Sequence, residues 1–108
     1  MVRIDANEIV GADSFHTIFA SAFGFPNFYG RNMDAWIDCL TYLDDVEAGM
    51  TSVHVAPGQC LPLVIDHAHE FKVRCPDLFA ALVECAAFVN FRRVELGGLP
   101  VLALALDA

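Results

Sequence analysis

The sequence is poor in basic residues, and this shortage restricts the classes of partner that the protein can bind. Six Lys and Arg stand against 14 Asp and Glu, which gives a formal net charge of −8 at pH 7. Between Arg31 and Lys72 there is no Lys or Arg, while Asp and Glu occur seven times. Nucleic-acid binding depends on a basic surface, so the charge balance argues against that class. It is compatible with a basic protein partner, a class that includes most ribonucleases.

Long apolar segments are also missing. No apolar run reaches the ~18–20 residues needed to span a bilayer, so no contact with a membrane is expected. Residues 1–5 lack the basic and then apolar pattern of a signal peptide, which predicts a cytoplasmic protein. The cysteines show no C-x-x-C pair and no zinc-like spacing, and nothing in their positions requires a disulfide. We expect small core residues at Cys39, Cys60, Cys75 and Cys85.

The composition is that of one globular domain, with 56% hydrophobic residues in a chain of 108. We therefore expect a single domain over residues 1–108. In its first half, Gly24 and Pro26 separate two helical patterns. The predicted elements are a strand over residues 1–5, a helix capped by Asp13 or Ser14 that ends at Phe23, a loop over residues 25–30, and a helix capped by Asn32 over Met33 to Leu43.

The second half begins with a long segment of turn signals, residues 44–61, and continues with strands and helices. Within this segment, Met50 to Ala56 is predicted to form a short extra strand or one arm of a hairpin. The further predicted elements are a buried strand over Leu61 to Ile65, a short helix after Asp66 that continues to about Arg74, a helix from Pro76 to Phe91 with Arg92 and Arg93 at its negative end, and a strand over Pro100 to Leu106 that is covered on both faces.

This order of elements predicts the topology. Strands that alternate with pairs of helices imply parallel pairing through right-handed crossovers. The expected fold class is α/β: a small sandwich in which about four helices pack on a three-stranded parallel sheet.

The segment from Phe28 to Leu40 carries the pattern most typical of a binding site. Its letters, FYGRNMDAWIDCL, describe an aromatic pair, a glycine turn, a helix N-cap and two aspartates one turn apart. On a helical wheel Asp34 and Asp38 lie about 40° apart, so both carboxylates are expected to face water, with no base near them. Like charges at this spacing destabilise a helix by roughly 0.2–0.5 kcal/mol, and a positively charged partner would reverse that effect.

The same segment resembles the barstar family, bacterial inhibitors that bind ribonucleases of the barnase type. The similarity includes Ile4 to Ile9, Phe15, His16 and Pro26, and extends without a gap over about the first 43 residues. It implies the same α/β fold that the order of elements predicts. It also implies an antitoxin or immunity protein without catalytic activity, cofactor or metal, which binds one basic, extracellular-type ribonuclease in a 1:1 complex.

The resemblance also implies roles for individual residues. In the family, this helix and the loop before it plug the ribonuclease active site, so Asp38 would replace a substrate phosphate and Asp34 would contact the rim. Phe28 lies where the family has a tyrosine, and it keeps the ring but not the hydroxyl. For Asn32 we favour helix capping alone, and for Glu84 an exposed salt bridge is an equal alternative. The implied partner-binding residues are Phe28, Tyr29, Gly30, Asn32, Asp34, Asp38, Tyr42 and Glu84.

Besides Phe28, two further features depart from the family pattern. Arg31 occupies the position beside the site where the family has a glutamate, so the charge there is reversed. This change would weaken the electrostatic attraction of a basic enzyme or shift the pairing of charges between the two proteins. Residues 44–61 form an atypical insertion. Together these changes suggest a cognate enzyme other than the best-known one.

Two other functions stay open. A general interaction module with a non-nuclease partner would use the insertion 44–61. A small metal protein would use His67 and His69, which each lie beside a carboxylate, although a helix here would point the two rings apart. His16 is interpreted as a packed or capping histidine. The sequence contains no nucleophile elbow, P-loop or HExxH motif, so no enzyme is predicted.

Overall fold

Three parallel strands form one layer of the molecule, and their order across the sheet follows their order along the chain. The structure is a computed structural model that describes residues 1–108. Val2 lies opposite Leu63 in the first strand pair, and Leu61 lies opposite Leu102 in the second. The strands are β1 (Val2–Asp5), β2 (Leu61–Asp66) in the centre, and β3 (Leu102–Leu106).

Two pairs of helices connect the strands, so the predicted α/β fold class is confirmed. The helices are α1 (Ala12–Phe23) and α2 (Met33–Thr41) between β1 and β2, and α3 (Ala68–Arg74) and α4 (Pro76–Glu95) between β2 and β3. Short 3-10 helices lie at Ala6–Glu8 and Val46–Ala48. None of the helices is both long enough and apolar enough to cross a membrane.

Only one face of the sheet is buried. In β1 and β2 the buried residues alternate with exposed or half-buried ones. The prediction that β3 is covered on both faces is wrong, because Ala103 and Ala105 are exposed. Two right-handed crossovers that progress in one direction across the sheet place every helix on the same side. Alanine is small enough to leave little apolar surface on the open side.

Aromatic side chains of α1 and α2 form the centre of the core. Phe15, Phe19 and Phe23 recur at helical spacing on α1, and all three are fully buried. The ring of Trp36 on α2 meets Phe19 edge-on, with ring centroids 5.6 Å apart. Full burial of a large apolar side chain stabilises a fold by roughly 1.5–3 kcal/mol, so these contacts fix α2 against α1.

The start of α1 and the end of α2 differ from the prediction. The residue before α1 is Gly11, so neither Asp13 nor Ser14 is the N-cap. The Ser14 hydroxyl instead accepts the N–H of Gly11 at 3.2 Å, from the third position of the helix. Ser14 therefore satisfies a backbone donor from inside the helix. α2 ends at Thr41, two residues before the predicted end at Leu43.

Arg93 joins three parts of the chain. α4 continues beyond its predicted end as far as Glu95, which places Arg93 in the last turn. The guanidinium donates to both carboxylate oxygens of Asp44, at 2.9 and 2.6 Å, and to the carbonyls of Thr41 and Leu99. The two side chains of the ion pair are only 15% and 19% exposed. Arg93 therefore fastens the end of α2 to α4 and to the turn before β3.

In the insertion 44–61, Met50 to Ala56 form no strand, so the predicted extra strand or hairpin arm is wrong. Its backbone binds carbonyls at the ends of helices instead. The N–H of Ser52 donates to the carbonyl of Phe23 at 2.8 Å, and the N–H of Val55 donates to that of Leu43 at 3.0 Å. The carbonyl of Phe23, the last residue of α1, has no partner inside its helix, and Leu43 lies in the turn that follows α2. The insertion therefore bonds to the backbone where the two helices end, and not to an edge of the sheet.

The four cysteines are unpaired, but they differ in burial. Cys39 is buried and Cys75 and Cys85 are half-buried, whereas Cys60 is exposed, with its thiol 3.2 Å from the carbonyl of Pro100. The interpretation as core residues is therefore correct for Cys39 and wrong for Cys60.

Gly24→Ala is expected to destabilise the protein more than Gly49→Ala. Both glycines have a left-handed backbone, with φ of 65° and 68°. A Cβ on Gly24 would also lie 2.3 Å from the Ser52 Oγ, whereas one on Gly49 would meet nothing within 4 Å. We expect Gly24→Ala to lower the free energy of unfolding, measured by urea denaturation, by about 2–3 kcal/mol.

Gly49→Ala is the control for backbone strain alone and should lower the free energy of unfolding by about 1 kcal/mol. Adding Ser52→Gly to Gly24→Ala should recover the part of the loss that comes from the clash. Equal losses in the two single variants would contradict the close approach of Ser52 to Gly24.

Candidate partner-binding site

The loop between α1 and α2 presents an aromatic side chain to solvent. Gly24 ends α1, and the N–H of Tyr29 donates to the carbonyl of Pro26 at 2.9 Å, so the chain turns before α2. Phe28 lies in this turn and is 76% exposed. The ring of Tyr29 is half-buried against Phe25, with centroids 4.6 Å apart. Of the aromatic pair, Phe28 is thus the side chain free to contact a partner.

A hydrogen bond to His16 fixes the position of Tyr29. The Tyr29 hydroxyl lies 2.6 Å from Nδ1 of His16, whose side chain is buried in the core. Burial lowers the pKa of His16, and the cation of Arg31 lowers it further, so the neutral ring accepts this bond. Burial also raises the pKa of Tyr29. His16 is therefore a packed histidine, one of the two roles that the sequence predicts.

Arg31 binds within the molecule. Its backbone is left-handed, with φ of 56°. The guanidinium donates to the carboxylate of Asp13 at 2.7 Å and to the hydroxyl of Thr17 at 2.9 Å, both on α1. The cation that departs from the barstar pattern is thus paired with an anion of this chain, and it ties the loop to α1.

Asn32 caps α2, as predicted. Its Oδ1 accepts the N–H of Ala35 at 2.8 Å, and its Nδ2 lies 3.4 Å from the carbonyl of Gly30. A Cβ on Gly30 would lie 3.3 Å from this Nδ2, so the close turn favours glycine. Gly30 and Asn32 together set the direction in which α2 leaves the loop.

The two aspartates of α2 have different surroundings. Asp34 is exposed, and its carboxylate belongs to none of the ion pairs of the molecule. Asp38 is half-exposed, and its Oδ1 accepts a bond from Nη1 of Arg92 at 2.5 Å. The prediction that no base lies near these carboxylates is wrong for Asp38. The reason is that α4 packs along α2 and brings in a residue 54 positions later in the chain.

Four of the predicted residues line one cleft of about 270 Å³ beside α2. The lining residues are Phe28, Tyr29, Gly30, Ala35, Asp38, Cys39 and Met50. Met50 belongs to the insertion 44–61, and sequence reasoning missed it because no local pattern shows where the insertion packs. The cleft thus brings together the aromatic loop, the acidic helix and the insertion.

The other predicted residues lie outside this cleft. Asn32 acts as the cap. Tyr42 follows α2 and lines a separate cleft of about 200 Å³ that also includes Arg93. Glu84 is exposed on α4 beside Cys85, whose pKa is raised by burial and then by the charges of Glu84 and Asp34. Glu84 and Asp34 therefore lie on the same side of the molecule, where α2 begins.

His67 and His69 belong to no cluster of three or more possible metal ligands. His67 precedes α3 with a left-handed backbone, and its ring nitrogens lie 4.0 Å from Asp5 and 3.7 Å from Glu70. No group of three or more His, Cys, Asp or Glu side chains is placed to hold a metal ion. The metal-protein alternative thus has no cluster of ligands to support it.

The chain was compared with models of known protein families and with curated proteins. The model of the family described as Barstar (barnase inhibitor) matches residues 1–95. The chain belongs to the barstar family. No curated protein matches the chain.

The barstar match covers the whole candidate site. It includes every predicted partner-binding residue from Phe28 to Glu84, and it also includes Met50 and Arg92. Barstar-family proteins are inhibitors rather than enzymes. β3 lies beyond the matched residues.

The burial of His16 predicts a pH dependence of stability. The pKa of His16 in the folded protein is below the ordinary value of 6.5, so the unfolded chain binds the proton more readily. The stability that comes from the neutral ring is therefore complete above about pH 6.5 and decreases as the pH falls toward the folded pKa. The free energy of unfolding should be compared with that of His16→Gln between about pH 8 and pH 5.

Below about pH 6.5, the advantage of the unaltered protein over His16→Gln should shrink. Glutamine keeps an acceptor for the Tyr29 hydroxyl but cannot take up a proton in this range. If the difference in free energy of unfolding between the two proteins stays constant over the whole range, the pKa of His16 is not lowered by burial in the folded protein.

Proposed function

We propose that this protein is a stoichiometric inhibitor of a basic, barnase-type ribonuclease and binds it in a 1:1 complex. The observation that carries the proposal is the convergence of Phe28, Tyr29 and Asp38 on one cleft, within the range that the barstar family matches. Aromatic rings beside a carboxylate are suited to fill a site that binds a nucleobase and a phosphate. The inhibitor acts by occupying that site and performs no chemistry.

The loop before α2 is held in place before any partner binds. Tyr29 is fixed by its bond to His16, and Arg31 ties the loop to Asp13. Side chains and loops that are already ordered lose less conformational entropy on association. Phe28 is therefore presented to a partner on a fixed support.

Asp38 is the proposed substitute for a substrate phosphate. Charge-assisted hydrogen bonds from arginine to a carboxylate are strong and directional, and a helix holds this carboxylate in a defined position. Asp34, one turn earlier, would contact cations at the rim of the enzyme site. In the free protein Arg92 already binds the Asp38 carboxylate, so the cations of the enzyme have to replace that bond.

The insertion 44–61 is assigned to the same interface. Met50 lines the cleft with Phe28 and Asp38, and the backbone of the insertion is bound to the ends of two helices. These contacts favour one enlarged binding surface over a separate interaction module.

We assign the protein to the cytoplasm, where an antitoxin or immunity protein would protect the cell that makes the ribonuclease. The unpaired cysteines suit a reducing compartment. An inhibitor held there neutralises the enzyme before export.

Asp38→Asn is expected to weaken inhibition more than any other single substitution. The amide keeps the size of the side chain but removes its charge, which leaves the cations of the enzyme unpaired in a buried interface. Removing one partner of a buried ion pair destabilises by about 3–5 kcal/mol, so the inhibition constant should rise about a hundredfold or more. Titration of barnase activity on an RNA substrate measures this effect.

Glu8→Gln is the matched control, because Glu8 is exposed on the short helix after β1 and the variant makes the same change in net charge. It should inhibit like the unaltered protein. Equal inhibition constants for Asp38→Asn and Glu8→Gln would contradict the role of Asp38. Failure of the unaltered protein to inhibit any barnase-type ribonuclease would contradict the proposed function itself.

The association rate is expected to fall steeply with added salt. A net charge of −8 attracts a basic enzyme over distances that salt screens, whereas contacts inside the complex are screened much less. Stopped-flow mixing between about 0.05 and 0.5 M salt should therefore show slower association and a smaller change in dissociation. An association rate that does not depend on salt would refute long-range attraction.

A further inference from the structure

The ion pair between Arg92 and Asp38 differs from the other contacts of α4 with the region of α2. A single bond joins Nη1 of Arg92 to Oδ1 of Asp38, and the two side chains are 36% and 51% exposed. The neighbouring pair of Arg93 with Asp44 has two bonds between the charged groups and is mostly buried. Exposed ion pairs contribute little to stability, so the contact of Arg92 is not needed to hold α2.

Arg92 lines a third cleft, which is larger than the two described above. This cleft has a volume of about 580 Å³ and is lined by Phe88, Phe91, Arg92, Glu95 and Leu96. Glu95 lies three residues after Arg92 on the same helix, a spacing that brings opposite charges together, and it belongs to none of the ion pairs of the molecule. The exposed rings of Phe88 and Phe91 offer further contacts to a guanidinium. A displaced Arg92 side chain thus has space and partners on its other side.

We propose that Arg92 is a specificity-determining residue that competes with any partner for the Asp38 carboxylate. As a result, only a partner site in which several cationic groups converge can displace Arg92 and bind Asp38. This inference rests on the proposed function and adds to it the kind of partner that Asp38 accepts.

The competition follows from the difference between an internal and an external cation. Arg92 belongs to the same molecule, so its effective concentration at Asp38 is high. A single lysine or arginine on an ordinary basic surface offers no stronger bond than the one it would break, and it leaves Asp38 with Arg92. A concave site with several converging cations forms more bonds to the carboxylate and excludes water, which strengthens each of them.

Such a competitor suits a strongly acidic protein. With a net charge of −8, the chain attracts basic proteins in general. Discrimination against weak partners is commonly built by making the unwanted complex less favourable. Arg92 makes unwanted complexes less favourable by holding Asp38, the residue that matters most for the proposed complex. When the correct partner displaces Arg92, the guanidinium can bind Glu95, which reduces the binding free energy lost by breaking its bond to Asp38.

The test compares Arg92→Gln with Arg3→Gln, using barnase as the probe. Arg3 is an exposed arginine on β1 that is paired closely with Asp66 at 2.7 Å and loosely with Asp107 at 3.9 Å, so both variants lose one positive charge and one close surface ion pair. Arg92→Gln should bind barnase only about twofold more tightly than Arg3→Gln does, less than the full factor for releasing one exposed ion pair, because Glu95 accepts the displaced Arg92 when barnase takes Asp38. Thermal unfolding of both variants confirms that they are folded.

A deca-lysine peptide is the second probe, because its cations do not converge in a pocket. It should bind Arg92→Gln about threefold to fivefold more tightly than Arg3→Gln, a larger gain than that for barnase, and adding Asp38→Asn should remove that gain. If deca-lysine binds the two single variants equally, Arg92 does not keep isolated cations from Asp38, and the inference is overturned.

The outcomes with barnase separate this inference from the proposed function. If the unaltered protein inhibits barnase and Arg92→Gln binds no better than Arg3→Gln, Arg92 is not a competitor and the proposed function stands. If only Arg92→Gln inhibits barnase, Arg92 also excludes a site with converging cations, which overturns its proposed role in specificity. If none of the three proteins inhibits barnase or any other barnase-type ribonuclease, the proposed function is overturned, and the deca-lysine comparison alone decides whether Arg92 competes for Asp38.

Discussion

The burial of one face of α2 is the constraint on which the candidate site depends. A helix of nine residues is too short to be stable by itself in water, so its conformation relies on the contacts of Trp36 and Leu40 in the core. Successive residues of a helix are turned by about 100°, and burying this face leaves Asp34 and Asp38 on the other. The apolar residues of α2 therefore decide where its carboxylates point.

Two consecutive arginines of α4 act on α2 in different ways. Arg93 is sheltered and bonded to Asp44 and to backbone carbonyls, so separating it would leave charges unpaired away from water. Arg92 makes one half-exposed bond to Asp38, which other ions can replace more easily. One position thus supports the architecture, while its neighbour controls the availability of a carboxylate.

Local signals were sufficient to predict β1, β2, β3, the four α-helices and the fold class, but they also predicted a strand at Met50 to Ala56 that does not form. The apolar spacing of α1 and the capping of α2 by Asn32 act within a few residues, and the rules for parallel connections then restrict the topology. The errors concern features that depend on tertiary packing. The position of Met50 in the cleft, the bond of Arg92 to Asp38 and the helix-end carbonyls used by the insertion 44–61 all join distant parts of the chain. β3 was predicted as two-sided because its apolar run is continuous, but alanine tolerates exposure.

The two edges of the sheet are unequally protected against pairing with other chains. β1 carries Arg3 and Asp5 on its open face, and Arg3 binds Asp66 of β2 at 2.7 Å. Charged side chains on an edge strand hinder the addition of further strands. β3 forms the other edge and contains only leucine and alanine. If molecules of this protein add strands to one another, the addition would therefore begin along β3. Aggregation at high concentration depends on whether other chains can reach that edge.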